Sequence, residues 1–458
     1  METKAKIVWK EEDNAYLNKM FKLMDLILAF CIILSPLITS AFCLLGVEID
    51  VPNVLIICYC FYIFIRVFSF AMNWRFIKLR KLDIVEILGI ALFVMLWVTE
   101  FINSPMSFTI VLTFGYFVVF NTFYKIEKKH YKILLYTFIL TIAICSIMGL
   151  CDLNNSYMPG FVEITFPMSL QFWNPNYSAY ITVMAILMTI YVLSKYKSVV
   201  EQIIFWIAYV VLNVALFVNG CFSAETAMFI GELFLLIYLW ITNKKCPYLV
   251  LGCLGISIAA SFVWIKGYST SGANYMFEML SFLDGKLGTS LTKTVSSIFD
   301  KFFGTGVIEC VEGSDGWDRN KLTAKAIAAI FESPKSVLFG YGILYNNNIR
   351  VHNVFLQIWL EYGLINLALY VSIWVIWIVR FIKTRFSTHN LYLVTLLLVT
   401  ILVSHYFGCL EVYSFTHFMC FVAVFVSEIN RKRNILKSHQ QLSEDGVNEK
   451  INVENKEG

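Results

Sequence analysis

Long apolar runs, each close to the width of a bilayer and set apart by short polar breaks, recur along most of this chain, and nothing else limits its fold as strongly. In a helix, about 20 residues cross roughly 30 Å of hydrocarbon. In lipid the backbone has to satisfy its own hydrogen bonds, so runs of this length are helices. The chain of 458 residues is 59% hydrophobic, 16% aromatic and 15% charged, with a mean hydropathy of +0.70. A soluble domain of this length could not cover that much apolar surface. Twelve spans are expected, near 23–47, 52–74, 84–102, 107–124, 133–150, 177–194, 201–219, 226–242, 248–265, 353–379, 390–408 and 413–429. The expected fold class is therefore all-α, a multi-pass membrane protein.

The basic residues orient it. They cluster at Arg75, Lys78, Arg80 and Lys81, at Lys125, Lys128, Lys129 and Lys132, at Lys195/Lys197, at Lys244/Lys245, at Arg380/Lys383/Arg385 and at Arg431/Lys432/Arg433. These loops alternate with short loops near 48–51, 103–106, 151–174, 220–225 and 409–412, which hold no Lys or Arg. This positive-inside pattern puts both termini in the cytoplasm of an inner or plasma membrane. The net charge of +4 thus reflects topological anchors and gives no reason to expect a nucleic-acid partner. The charged leader with Glu11, Glu12 and Asp13 has no small-residue cleavage site, so the first span is expected to be retained.

The twelve cysteines show no metal-ligand spacing. Cys58 and Cys60, two apart, face different sides of a helix. Cys151, Cys221, Cys310 and Cys409 fall near the outer face and leave a disulfide open without fixing a pair. The chain divides into spans one to nine (1–265), one large outer loop (266–351), spans ten to twelve (352–430) and a polar tail (431–458) expected to be disordered. In the loop, YMFEMLSFLDG and SLTKTVSSIFDKFFG have helical apolar spacing, for the membrane surface or the top of the bundle. KLTAKAIAAIFES reads as a short amphipathic helix that Pro334 would stop. Gly340 and Gly342 mark a tight turn back toward the membrane. A second outer loop, near 151–176, leads to Asn174 as N-cap with Pro175 at the first helical position of span six.

Few residues offer chemistry on the outer side. Arg319 could hold two phosphate oxygens with its planar fork, or be a loop arginine paired with Asp315 or Asp318. His352, at the mouth of span ten, could act as a base near neutral pH or cap the helix. The helix dipole there also favours an anion. His405 and His417 are weaker candidates, while His130, His389 and His439 lie on the cytoplasmic side. Charges inside spans need partners: Arg66, Glu100, Glu225 and Glu361. Glu361 lies roughly 13 Å deeper than His352 at 1.5 Å per residue and on the opposite face, so a structural role is expected, with Arg66 one candidate partner.

Taken in order, Arg319, Pro334, Gly340-Tyr341-Gly342, His352-Asn353 and Glu361-Tyr362-Gly363-Leu364 resemble the signature region of the O-antigen ligase/O-antigen polymerase family. Asn174-Pro175-Asn176 at span six is similar to an Asn-Pro-Asn seen there, and span number and loop position agree. The motifs cover about 45 residues plus that tripeptide. The resemblance implies a membrane glycosyltransferase with a C-type glycosyltransferase bundle, which moves glycan from undecaprenyl diphosphate to an outer-leaflet acceptor with neither metal nor cofactor. Carried over, Arg319 would bind the diphosphate and His352 would activate the acceptor hydroxyl, with Asn353 and Asn176 beside the substrate. One feature departs. Where members often carry Ser-Arg at the start of span eight, this chain has Ser223-Ala224-Glu225-Thr226, leaving Arg350 or Lys266 to take up the phosphate load.

The expected function is a polysaccharide polymerase of the cell envelope or capsule. Its partners would be lipid-linked glycan and membrane lipid, with a flippase and a chain-length regulator as further candidates. A ligase that moves finished glycan to a lipid or protein is the alternative within the class. A flippase or transporter of lipid-linked sugar is the rival from another class. It would need paired broken helices in matching halves, which the sequence does not suggest.

Overall fold

The computed structural model describes residues 2–44, 51–73, 84–103, 128–156, 175–195, 198–219, 222–242, 247–267, 319–342 and 353–383. All regular elements among these residues are helices. In chain order they are α1 (Glu2–Leu44), α2 (Val51–Asn73), α3 (Ile84–Asn103), α4 (Lys128–Ser156), α5 (Pro175–Lys195), α6 (Val199–Asn219), α7 (Phe222–Thr242) and α8 (Pro247–Gly267). The short α9 (Arg319–Ile330) and α10 (Pro334–Phe339) follow, and then the long α11 (Val354–Lys383). The spans expected near 107–124, 390–408 and 413–429 lie outside the described residues, as do most of the large loop and the tail.

Among the described residues, four helices contain a stretch long and apolar enough to cross a membrane: Lys22–Thr39, Lys132–Leu150, Val199–Phe217 and Phe355–Ile376. Helix α6 shows how such a helix is arranged. Its apolar residues Val200, Ile203, Ile207, Val210 and Val214 are exposed along one side. Its interior side carries Phe205, Tyr209, Leu212 and Leu216 together with the buried amide of Asn213. A water-soluble helix turns its apolar stripe inward and its polar face outward. An exposed aliphatic stripe backed by a buried amide suits hydrocarbon as solvent. Helix α2 repeats the pattern, with Ile57, Phe61, Phe64 and Phe68 exposed.

Helix α5 is the centre of the bundle. Each residue from Ala179 to Leu193 is buried, and the helix packs against α4, α6, α7 and α8. Its sequence is apolar all round, as a helix enclosed by others must be. Helix α1 lies on α2 and α4, and α11 lies on α3, α9 and α10. Lys132 and Glu201 join one end of α4 to α6 at 2.8 Å, a solvent-screened pair that contributes little to stability.

Pro36 sits inside α1 and has no N–H, so the carbonyl four residues earlier, on Ile32, loses its helical donor. Ser35 Oγ donates to that carbonyl at 2.8 Å. Thr39 Oγ1 reaches the carbonyls of Ser35 and Pro36 at 3.0 and 2.9 Å. The run Ser35-Pro36…Thr39 therefore keeps its backbone satisfied without water, as a helix in lipid requires.

Several expected boundaries change. α1 is continuous from Glu2, so the charged leader belongs to the helix instead of preceding it. α4 continues to Ser156, so residues 151–156 are helix where a loop was expected. α5 begins at Pro175, as the Asn174-Pro175 pair suggested.

Candidate functional site

The segment of the motifs folds from a short helix outward. α9 ends at Ile330, before the point at which Pro334 could stop it. Pro334 instead opens α10 at its first position, where a missing N–H costs nothing. Ser333 caps this helix. Its Oγ accepts from Ser336 N at 3.1 Å, and its own N–H donates to Ser336 Oγ at 2.9 Å. Such a cap stabilises a helix by about 1 kcal/mol. Gly340 ends α10 at φ 64, with its N–H on Ser336 O at 2.9 Å, and Gly342 also has positive φ, at 79. The tight turn at these glycines is present.

Helix α11 is broken where one continuous span was expected. Gly363 has φ 82 and ψ 172, which is not helical. A break frees the last carbonyls of the turn before it, and at this depth they need protein donors. Three are accounted for. Leu360 O accepts from Tyr341 N at 3.0 Å and Glu361 O from Gly342 N at 2.7 Å. Tyr362 O accepts from Asn366 Nδ2 at 2.8 Å. Asn366 Nδ2 also reaches Thr99 Oγ1 at 2.9 Å, and Asn103 Nδ2 donates to Phe339 O at 3.2 Å, so α3 is tied into the same crossing.

The two glycines let the backbones meet. A Cβ on Gly340 would lie 2.5 Å from the carbonyl carbon and oxygen of Glu361. A Cβ on Gly363 would overlap the Leu338 carbonyl. Gly340-Tyr341-Gly342 and Glu361-Tyr362-Gly363 are thus two halves of one backbone crossing. Trp359 Nε1 on Val337 O at 3.1 Å closes the same contact from the side. α9 is held to this unit by Ala326 and Ile330 against Leu360. Tyr341 OH reaches Ala329 O at 2.8 Å and Glu332 Oε2 at 2.5 Å.

Of the residues singled out from the sequence, Asn353 is seen in full. It caps α11, its Oδ1 accepting from Leu356 N at 3.1 Å. Arg319 is the first residue of α9, Asn176 lies in the first turn of α5 and Lys266 in the last turn of α8. Of these three the backbone position alone is described. Arg350 and His352 lie outside the described residues, as do His405 and His417. Glu361 receives Gln357 Nε2 at 2.5 Å from its own helix, and its carbonyl serves the crossing, which is a structural role. The backbone of Arg66 lies in α2, but its side chain is not among those described.

Two buried acids had gone unremarked in the sequence. Asp25 on α1 accepts a hydrogen bond from Tyr62 OH of α2. Glu232 is the central residue of α7 and 0% exposed. The signal for it was present: a lone acid in FIGELFLLIYLW, inside an apolar run. Among the described residues no group of His, Cys, Asp and Glu has a metal-binding arrangement.

These features define a helical membrane protein with a broken helix locked by a glycine-lined crossing. No protein-family model, no curated protein and no solved structure matches the chain.

Proposed function

We propose that the protein is a membrane glycosyltransferase that polymerises lipid-linked glycan on the outer leaflet. One observation carries this reading. The described motif residues Pro334, Gly340-Tyr341-Gly342, Asn353 and Glu361-Tyr362-Gly363, from the stretch that resembles the O-antigen ligase/O-antigen polymerase family, lie in one unit around Gly363, and α9, which begins at Arg319, is packed onto it. Two helices whose first residues border the candidate groups are thereby fixed to each other, as a site that positions two substrates requires.

In this reading the chain has twelve spans, with both termini cytoplasmic and the 266–351 loop outside. Arg319 binds the diphosphate of the undecaprenyl carrier through its fork. Arg350 and Lys266 supply further positive charge toward the leaving group. His352 takes the proton of the acceptor hydroxyl, and the bond from anomeric carbon to phosphate oxygen breaks as the new glycosidic bond forms. A transporter would use paired discontinuous helices. Among the described helices α11 is the one with a non-helical residue in its interior, Gly363.

The experiment is in vitro polymerisation of undecaprenyl-diphosphate-linked repeat units, normalised to folded protein. Arg319→Lys keeps the charge and loses the fork, and is expected to abolish most turnover. His352→Ala is expected to slow transfer by about 10²–10⁴-fold, the range for loss of a general base, while donor binding persists. Unchanged turnover in both variants overturns the reading. Transfer to a lipid core or protein acceptor in place of chain growth assigns a ligase.

A further inference from the structure

The middle of the bundle holds a polar cluster that the proposed transfer does not use. Tyr209, Glu232 and Ser257 are each the central residue of a 21-residue helix, α6, α7 and α8 respectively. Each is therefore roughly 15 Å from either helix end, near the midplane of a bilayer. All three, with Asn213 and Cys253, are 0% exposed.

Their oxygens stand close together. Tyr209 Oη lies 2.6 Å from Glu232 Oε1, 2.9 Å from the Cys253 carbonyl and 2.8 Å from Ser257 Oγ. Ser257 Oγ lies 2.8 Å from Asn213 Oδ1 and 3.2 Å from Glu232 Oε1. The Asn213 amide nitrogen is already used on Tyr209 O, at 2.9 Å. Five oxygen–oxygen contacts are thus served by two hydroxyl protons. Among the described residues Glu232 Oε2 has no hydrogen-bond partner. The described residues of α6, α7 and α8 include one cation, Lys266, in the last turn of α8. The buried stretch of α5 beside them, 179–194, has no charged residue and offers the phenols Tyr180 and Tyr191 as its titratable groups.

An ionised carboxylate here would keep one oxygen without a donor and the other short of protons, fully buried and with no cation beside it among the described residues. A cation the size of Ca²⁺ fits poorly, because oxygens held about 2.3–2.6 Å from it stand farther apart than most of these do. We propose that Glu232 is a proton-binding site at the membrane midplane: its carboxyl carries a proton in the folded protein and donates it to Tyr209 Oη. The hydrogen bonds then run in one direction, from Glu232 to Tyr209, from Tyr209 to the Cys253 carbonyl, and from Ser257 to Asn213 Oδ1. No oxygen carries charge, and three helices are joined at one point by the proton.

The test uses the full chain in lipid nanodiscs at neutral pH. The infrared difference spectrum of wild type minus Glu232→Gln should show the carbonyl-stretch band of a protonated carboxylic acid. Glu232→Gln should unfold at a midpoint close to wild type, because its amide N–H can replace the carboxyl O–H. Tyr209→Phe should keep the band and shift its frequency, because the acceptor is removed. Absence of the band overturns the inference, and so does a wild-type midpoint that rises with sodium but not choline and loses that rise in Glu232→Gln. A band unmoved in Tyr209→Phe overturns the assignment of the partner.

Discussion

Gly363 and Gly340 set the geometry of the best-defined part of this protein, and each does so through what a side chain would strike. Gly363 holds φ 82 and ψ 172, a conformation effectively restricted to glycine, and it meets the Leu338 carbonyl directly. Gly363→Ala combines backbone strain with overpacking against backbone that cannot yield, and should cost about 3–5 kcal/mol. Gly255 in α8 has nothing among the described residues within 4 Å of its would-be Cβ, so Gly255→Ala should be neutral or slightly stabilising. Thermal unfolding of both variants in the same detergent checks the contrast, and equal midpoints would show that the crossing carries no stability. The two glycines also differ in how legible they were. Gly340 and Gly342, two apart and shortly after Pro334, spell out a turn. Gly363 stands alone in an apolar run, where one glycine is normally tolerated within a helix, so the break could not be read there. It becomes intelligible once Tyr341 and Gly342 supply donors to the carbonyls of Leu360 and Glu361.

At the scale of the element, apolar runs announced the helices and left their ends uncertain. The leader before α1 has polar residues that tolerate helix, and nothing in it demands a stop. Asp152, Asn154 and Asn155 favour turns, yet α4 runs on through them to Ser156. Pro334 was read as a stop because proline disfavours helix before it, but the same fixed φ suits the first turn of the helix after it. Of the candidate site, the sequence located the helices and the turn. What joins them is a set of backbone bonds between residues about 20 apart in sequence, which no local pattern encodes. Pro36 provides a test of such local bookkeeping. Ser35→Ala removes the side-chain donor to the Ile32 carbonyl and should cost about 1–3 kcal/mol, the range for an orphaned buried acceptor. Adding Pro36→Ala returns the helical N–H and should recover most of that loss. If the double variant unfolds no later than Ser35→Ala alone, the serine is not there to compensate for the proline.

For the molecule as a whole, the helices place exposed aliphatic residues outward and amides, acids and phenols inward, an arrangement made for lipid and not for water. That arrangement says the chain lies in a membrane but gives no direction, because the interior packing is indifferent to which end faces the cytoplasm. Direction comes from the loops. The lysine and arginine residues collect at one set of helix ends, while the opposite short loops have none. A membrane potential and the insertion machinery both act on such an asymmetry, and short loops within a few residues of a span count most. The 266–351 loop is long enough to escape this rule, and it carries Lys and Arg of its own. In the proposed topology its side follows from the spans on either hand: Lys244/Lys245 before the helix that would lead out, and Arg380/Lys383/Arg385 after the one that would return. With all twelve native cysteines replaced, Lys286→Cys should react with a membrane-impermeant maleimide in intact spheroplasts, and Lys245→Cys only after permeabilisation. The reverse pattern would put the loop in the cytoplasm. Arg319 and His352 would then face the wrong leaflet for an outer-surface polymerase, and that reading would fall with the topology.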